Sequence, residues 1–386
     1  MENRYCWVAI FSCCIIISCT TKEKRNDSYV LSPQETYLSF PVDEETCLPK
    51  FCLWAFIDNQ NEYIAFDNQG DEILFYDVRT QHLVKKVRFD REGENGIIAI
   101  NSFYVKDFNN IYIPSPQGGV FVTDTTAKIK QKIDFSQLKG KFPLIRFLST
   151  TITHSPICFI NDKLYIPQPV NPLLGGNFLP RSPIGALLDT ISGTKEVTPL
   201  TYLSYVPTSD IPSYVRGITV SHCYDGEKLL YSFDTEDSLI TLSSDFSKEK
   251  SYIAKSRYID KVEVRPIKGM DLNIALKKNC ETAGYGNIVY DKYRQVYYRF
   301  VYPDVELDKN DINYMDILHW GGKQFSIIIL DKKMNVIGET LFPEYTYNSR
   351  LFFICKDGLF LSTTHFKRPD FDENILRFQK IELKKI

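Results

Sequence analysis

Five histidines, His82, His154, His222, His319 and His365, are the side chains whose ordinary pKa would let them move protons near neutrality. No two stand at the spacing of metal ligands. The chain also lacks HExxH, GxSxG, GxGxxG and the P-loop; "GGKQFS" at 321–326 has glycines and a lysine without Walker spacing. No catalytic residue follows from local pattern, so any site must be gathered from distant segments. Arg146 and His154 bracket the approach to one strand-like run, and Arg216 and His222 flank another, "GITVS". His319 and Trp320 close a long aromatic and acidic stretch, "YPDVELDKNDINYMDILHWGG" (302–322). Long loops of this kind carry function out of proportion to their length. Arg146, His154, Arg216, His222, His319 and Trp320 are therefore the candidate binding residues. The plainer reading of each is a surface ion pair, a satisfied core histidine, or a tryptophan packed on its own loop.

Carboxylates cluster at "DTED" (234–237), "DKNDIN" (308–313) and "DFDEN" (370–374). None has the D-x-D-x-D-G order of a calcium loop, so they read as solvated loops. No metal site and no cofactor are expected. Ten cysteines include Cys6, Cys13, Cys14 and Cys19 near the N-terminus. The other six are scattered singly except Cys47 and Cys52, the one plausible bridge. Cys158, Cys223 and Cys355 sit in apolar runs and read as buried thiols.

The elements that must position these residues are strands. Aromatic and β-branched residues are abundant, with 24 Tyr and 26 Phe, and apolar residues alternate with polar ones almost throughout. "EYIAFDNQGDEILFYDVRTQHLVKKVRF" (62–89) reads as three strands and two turns. "FYVKDFNNIYIPSPQGGVFVTDTTAKIKQKIDF" (103–135) reads as four. Four short antiparallel strands with polar turns is the pattern of a propeller blade. It recurs six times, with Tyr63, Ile111, Leu164, Leu229, Tyr297 and Leu359 marking the second strand of each unit at intervals of roughly 50–70 residues. The expected fold is all-β, a propeller of six blades of four antiparallel strands; seven blades or a large β-sandwich are the alternatives. "YVLSPQETYLSFPV" (29–42) is expected to close the ring as outer strand of the last blade, beside "ILRFQKIEL".

The first residues supply an address. Arg4 precedes an apolar run from Cys6 to Ile17, which as a helix spans about 18 Å, short of a bilayer core. That is a signal-peptide core rather than a span. Ile16-Ile17-Ser18-Cys19 fits the bacterial lipobox, in which the cysteine thiol takes up lipid before cleavage. The expected division is a lipoprotein signal over 1–18, a polar tether over 19–28 after a lipidated Cys19, and a single propeller domain over 29–386. Net charge is −2, so no basic field exists for nucleic acid.

The lipobox, the "FYVKDFNNIYIPS…GVFVTDTTAKI" pattern and the closing "LFLSTTHF" together resemble the uncharacterised Bacteroidetes lipoproteins grouped as domain of unknown function 4221. They are also similar to six-bladed propeller lipoproteins of that phylum. The resemblance spans most of the chain after Cys19. It implies a propeller and an envelope lipoprotein, and it transfers no activity and no catalytic residue. The expected role is an anchored binding or scaffold module. Its partners would be the membrane, through the lipid anchor at the outer membrane, and a glycan, peptide or protein. The alternative is an envelope hydrolase or lyase acting on carbohydrate or peptide at a channel mouth.

Overall fold

Short alternating strands fold locally into hairpins, and the turns between them explain where each strand stops. In the computed structural model residues 27–49, 52–100, 102–114, 119–134, 144–145, 153–171, 181–202, 220–263, 271–310 and 313–386 are described. The first strand, β1 (Tyr29–Pro41), stands apart from the blade that follows it. Blade 1 comprises β2 (Leu53–Asp58), β3 (Asn61–Asn68), β4 (Glu72–Asp77) and β5 (Leu83–Arg88). Blade 2 has β6 (Tyr104–Asp107), β7 (Asn110–Pro114), β8 (Val120–Thr123) and β9 (Ile129–Ile133). Blade 3 has β10 (Cys158–Ile160), β11 (Lys163–Pro167), β12 (Gly185–Asp189) and β13 (Thr194–Val197). Blade 4 has β14 (Val220–Tyr224), β15 (Lys228–Phe233), β16 (Ser238–Ser243) and β17 (Glu249–Ile253). Between blades 4 and 5 lies α1 (Leu272–Glu281). Blade 5 has β18 (Gly284–Asp291), β19 (Val296–Tyr302), β20 (Ser326–Leu330) and β21 (Val336–Leu341), with α2 (Tyr314–His319) inserted after β19. Blade 6 has β22 (Asn348–Cys355), β23 (Gly358–Ser362) and β24 (Ile375–Lys385), and β1 returns as its outer strand.

The six sheets are antiparallel and four-stranded, so the fold is the six-bladed propeller expected, not a sandwich and not seven blades. Each of the six marker residues lies in the second strand of its blade. Two hairpins turn on pairs of residues with positive φ, Asn59 (45°) with Gln60 (69°) and Asn161 (49°) with Asp162 (64°), the handedness that matches strand twist. The turns from third to fourth strand in blades 2 to 5 use a side chain as well as a positive-φ residue. Asp124, Asp189, Asp245 and Asp331 each accept a backbone N–H two residues on, at 2.7, 3.0, 3.1 and 2.8 Å.

The core lies between blades. Six apolar clusters each join neighbouring blades, and the cluster of Phe40, Phe66, Tyr76, Phe353 and Phe378 joins the last blade to the first. Third strands such as β8 and β20 are buried along their whole length, because blades cover both faces. The outer strands β5, β9 and β17 are mostly exposed. Each fully buried large side chain stabilises the ring by roughly 1.5–3 kcal/mol.

Closure rests on β1. It pairs with β24 from Tyr29↔Lys385 to Pro41↔Ile375, with a bulge between Pro33 and Tyr37. Leu31 packs into the interface of blades 5 and 6, and Phe40 into that of blades 6 and 1. Gly338 lets the start of β1 lie against blade 5, since a Cβ there would collide with the Tyr29 carbonyl.

Among the described residues two helices interrupt the strands. Asp271 caps α1, accepting from the Asn273 and Ile274 amides, and Asn313 caps α2 through the Asp316 amide. Cys280, Leu307 and Ile317 form the small core that holds this pair together.

The Cys47–Cys52 bridge does not form; both thiols are free. The Cys47 amide is held at the surface by Asn68 Oδ1 (3.1 Å), leaving its side chain exposed. Cys52 is carried into the core between blades 1 and 2, where burial pushes its thiol well up and Asp67 accepts its hydrogen. Cys223 and Cys355 are buried, and Cys158 is half-buried.

Candidate functional site

First strands of neighbouring blades touch, β2 with β6 and β22, and β14 with β18, so the first strands line the axis. Their upstream ends gather at one mouth and their downstream ends at the other.

The upstream mouth holds the histidines. The segment before β10 crosses toward other blades: Thr153 Oγ1 donates to the Leu53 carbonyl of blade 1 (2.9 Å). The His154 carbonyl accepts from the His222 amide (3.2 Å) and Ser221 Oγ (2.6 Å) of blade 4. His154 Nδ1 meets Asn287 Oδ1 of blade 5 at 2.6 Å, while its Nε2 is buried with no hydrogen-bond partner. Burial first, and the nearby Arg350 charge, lower the His154 pKa to about 4 against the pull of Asn287. His222 is wholly enclosed, its ring 4.9 Å from that of Tyr165. Its Nε2 donates to the Pro156 carbonyl (2.9 Å), which can only accept, so Nδ1 is an acceptor, and it competes with the Val220 carbonyl (3.0 Å) for the single hydrogen of Ser155 Oγ, 3.2 Å away. Burial lowers its pKa to about 3. Both imidazoles are neutral at physiological pH. Among the described residues no carboxylate bonds His222, and a base at about 3 is a weak proton acceptor.

His154 and His222 are thus brought together, as expected of a shared axis. His319 and Trp320 are not part of that pair: Trp320 packs edge-on against Phe371 at 5.4 Å, and His319 ends α2. Their loop is fixed to blade 6, where Ser349 Oγ donates to the Gly321 carbonyl (2.8 Å). Arg146, Arg216 and Cys19 lie outside the described residues.

Protein cations lie at each acidic stretch where it is described. Residues 233–238 wrap the guanidinium of Arg299, fully buried, which donates to the carbonyls of Asp237, Ala254 and Glu236 (3.0, 3.0 and 2.5 Å) and lies 3.6 Å from the centre of the Tyr285 ring. Asp308 and Glu344 flank the buried ammonium of Lys323 at 3.2 and 3.4 Å, in a shallow polar cleft of about 590 Å³. Asp370 pairs with Arg368 and Arg377, and the Arg368 hydrogen bond leads in lowering its pKa to about 2. Among the described residues no group of three potential metal ligands occurs.

The downstream mouth is different in kind, and pattern reading missed it. A cavity of about 270 Å³ opens between the ends of β2, β6, β18 and β22. Trp54, Tyr63, Tyr104, Tyr290 and Tyr293 supply its aromatic wall. Trp54 is held by its indole N–H, which donates to the Val105 carbonyl (3.0 Å), and by an edge contact with Tyr104 at 5.1 Å. Lys106 lies 4.9 Å over the Phe159 ring and Lys292 5.1 Å over Tyr293. Glu62 accepts from the Tyr293 hydroxyl (2.7 Å) and the Lys356 amide (2.8 Å), and burial, then the Glu62 bond, raises the Tyr293 pKa. The available signal was positional: Trp54, Tyr104 and Tyr290 all stand in first strands, which line the axis.

The model for a domain of unknown function, DUF4221, matches residues 28–341, from β1 to the end of blade 5. A crystal structure of a DUF4221 member from Bacteroides vulgatus is similar at TM-score 0.80 and 26% identity, covering 94% of this chain and 100% of that one. A Bacteroides fragilis structure, named as a candidate exported protein, is similar in fold at TM-score 0.54 and 11% identity, covering 92% and 96%. No curated protein matches the sequence.

Proposed function

Since the chain belongs to the DUF4221 family, whose description assigns no activity, we propose from its geometry that it is a binding module of the cell envelope, taking its ligand at the downstream mouth. The observation that carries this reading is the cavity of about 270 Å³, lined by four blades and walled by aromatic rings from three of them. Concave, mostly apolar pockets with a few polar groups are where ligands bind, and this one sits just below the usual size for drug-like ligands. It suits one unit of a larger ligand, a sugar ring or a peptide side chain. Tight hairpins surround it, so binding requires little ordering of the chain.

The envelope address rests on the lipobox and tether. Cys19 would carry the acyl chains and hold the propeller at the outer membrane through residues 19–28. No helix among the described residues is long and apolar enough to cross a bilayer. A Cys19→Ser variant is expected to lose incorporation of labelled palmitate and leave the membrane fraction; retention of both would overturn the anchor. For the mouth, glycan and peptide arrays probed with the full-length chain supply ligands. Trp54→Ala and Tyr104→Leu are expected to weaken each true ligand by about tenfold or more, an effect of about 1.4 kcal/mol, measured well below the melting temperature of each variant. Hits that both variants retain would place binding elsewhere.

A further inference from the structure

The downstream mouth carries a charge pattern that specifies more than a hydrophobic pocket. Lys106 and Lys292 both line the cavity, and both are exposed at its rim. Among the described residues neither ammonium has a carboxylate at ion-pairing distance; each instead lies over an aromatic face. Elsewhere lysines do find carboxylates, as Lys86 does with Asp43, Lys130 with Asp124 and Lys323 with Asp308. Glu62 is the sole carboxylate among the lining residues described, and one of its oxygens is taken up by the Tyr293 hydroxyl and the Lys356 amide. The mouth therefore presents cations whose counter-charge the protein does not supply beside flat apolar rings. A ring held over a lysine leaves the outward side of the ammonium for an acceptor brought by a ligand.

Resting on the reading of this mouth as a ligand site, we propose that it binds acidic saccharides. One sugar ring would stack its C–H face on Trp54 or Tyr104, and its carboxylate or sulfate would meet Lys106 or Lys292. The aromatic wall favours a saccharide over an acidic peptide, because a Glu or Asp side chain has no flat apolar face to lay on it. Tyr63, Tyr104 and Tyr290 also line the cavity, and a phenol hydroxyl can bond a sugar hydroxyl as donor or acceptor.

The test is calorimetry on the full-length chain at low and at physiological salt. The probes are trigalacturonate, a hyaluronan tetrasaccharide and 3′-sialyllactose, with galactotriose as a neutral control and hexaglutamate as the peptide control. At least one acidic saccharide is expected to bind about tenfold or more tighter than galactotriose, with affinity falling as salt rises. Lys106→Ala and Lys292→Ala are expected to weaken it about three- to tenfold each without changing neutral binding. Equal binding of acidic and neutral sugars, unaffected by the lysine variants but lost in Trp54→Ala, would overturn the charge selectivity and leave the mouth standing. Acidic binding that Trp54→Ala and Tyr104→Leu both leave intact would overturn the mouth itself. Hexaglutamate binding tighter than every saccharide, or no binding by any acidic saccharide at millimolar concentration, would overturn the proposal.

Discussion

His154 and His222 show how a residue type suited to chemistry becomes a structural joint. Their ring nitrogens face an amide and a carbonyl, and burial holds both neutral, at about 4 and about 3. Both folded values lie below the unfolded one, so the unfolded chain binds more protons between them. Stability from each histidine is complete above about pH 6.5 and is lost as pH falls toward the folded value, by about 1.4 kcal/mol per pH unit at most. His365, lowered to about 4 by burial, adds the same sign. Asp67 and Glu236, raised by burial, act oppositely, and Asp370 adds a loss only as pH falls toward about 2. Urea melts from pH 7 to 4.5 are expected to show a steep acid loss that His154→Gln makes shallower; an unchanged slope would mean that His154 is already free to protonate. Arg299 is the other such residue. Arg299→Met leaves buried carbonyls unpaired and is expected to cost about 3–5 kcal/mol in denaturant melts.

At the scale of the element, β1 matters beyond its length. Leu31 and Phe40 are an odd number of residues apart and face opposite sides of blade 6, so one strand seals two interblade interfaces. Phe40→Ala is expected to cost about 3–5 kcal/mol and Leu31→Ala about 2–5. Tyr37→Ala, on a residue 41% exposed at the bulge, should change stability by no more than about 0.5 kcal/mol in the same melts.

For the whole molecule, the prediction concerns cooperativity. Each blade shares a core with two neighbours, and the ring is complete only when β1 lies on β24. A chain starting at residue 42 is expected to melt broadly, with blade 6 loosening first, and a peptide of residues 28–41 added in trans should sharpen the transition. A melt as sharp as that of the intact chain would show that the other interfaces suffice.

Blade count and the identity of the closing strand were legible in the sequence, because alternation and turn chemistry are local and period two repeats wherever one face is buried; β2, the first strand of blade 1, lies outside the three strands expected over 62–89. Tyr63, Ile111, Leu164, Leu229, Tyr297 and Leu359 could be placed in equivalent strands from spacing alone. His154 and His222 could be suspected of meeting, since a propeller gathers distant blades. What they do there was decided only by the fold: whether an imidazole is a base or a buried spacer depends on solvent and partners, and those come from blades 3, 4 and 5 together. The helices α1 and α2 were hidden because their small core needs Leu307 and Ile317 brought beside Cys280. The downstream mouth was hidden for the same reason. Trp54, Tyr104, Tyr290 and the two lysines each read as ordinary strand or turn residues, and only ring closure, which sets β2 beside both β6 and β22, makes them neighbours.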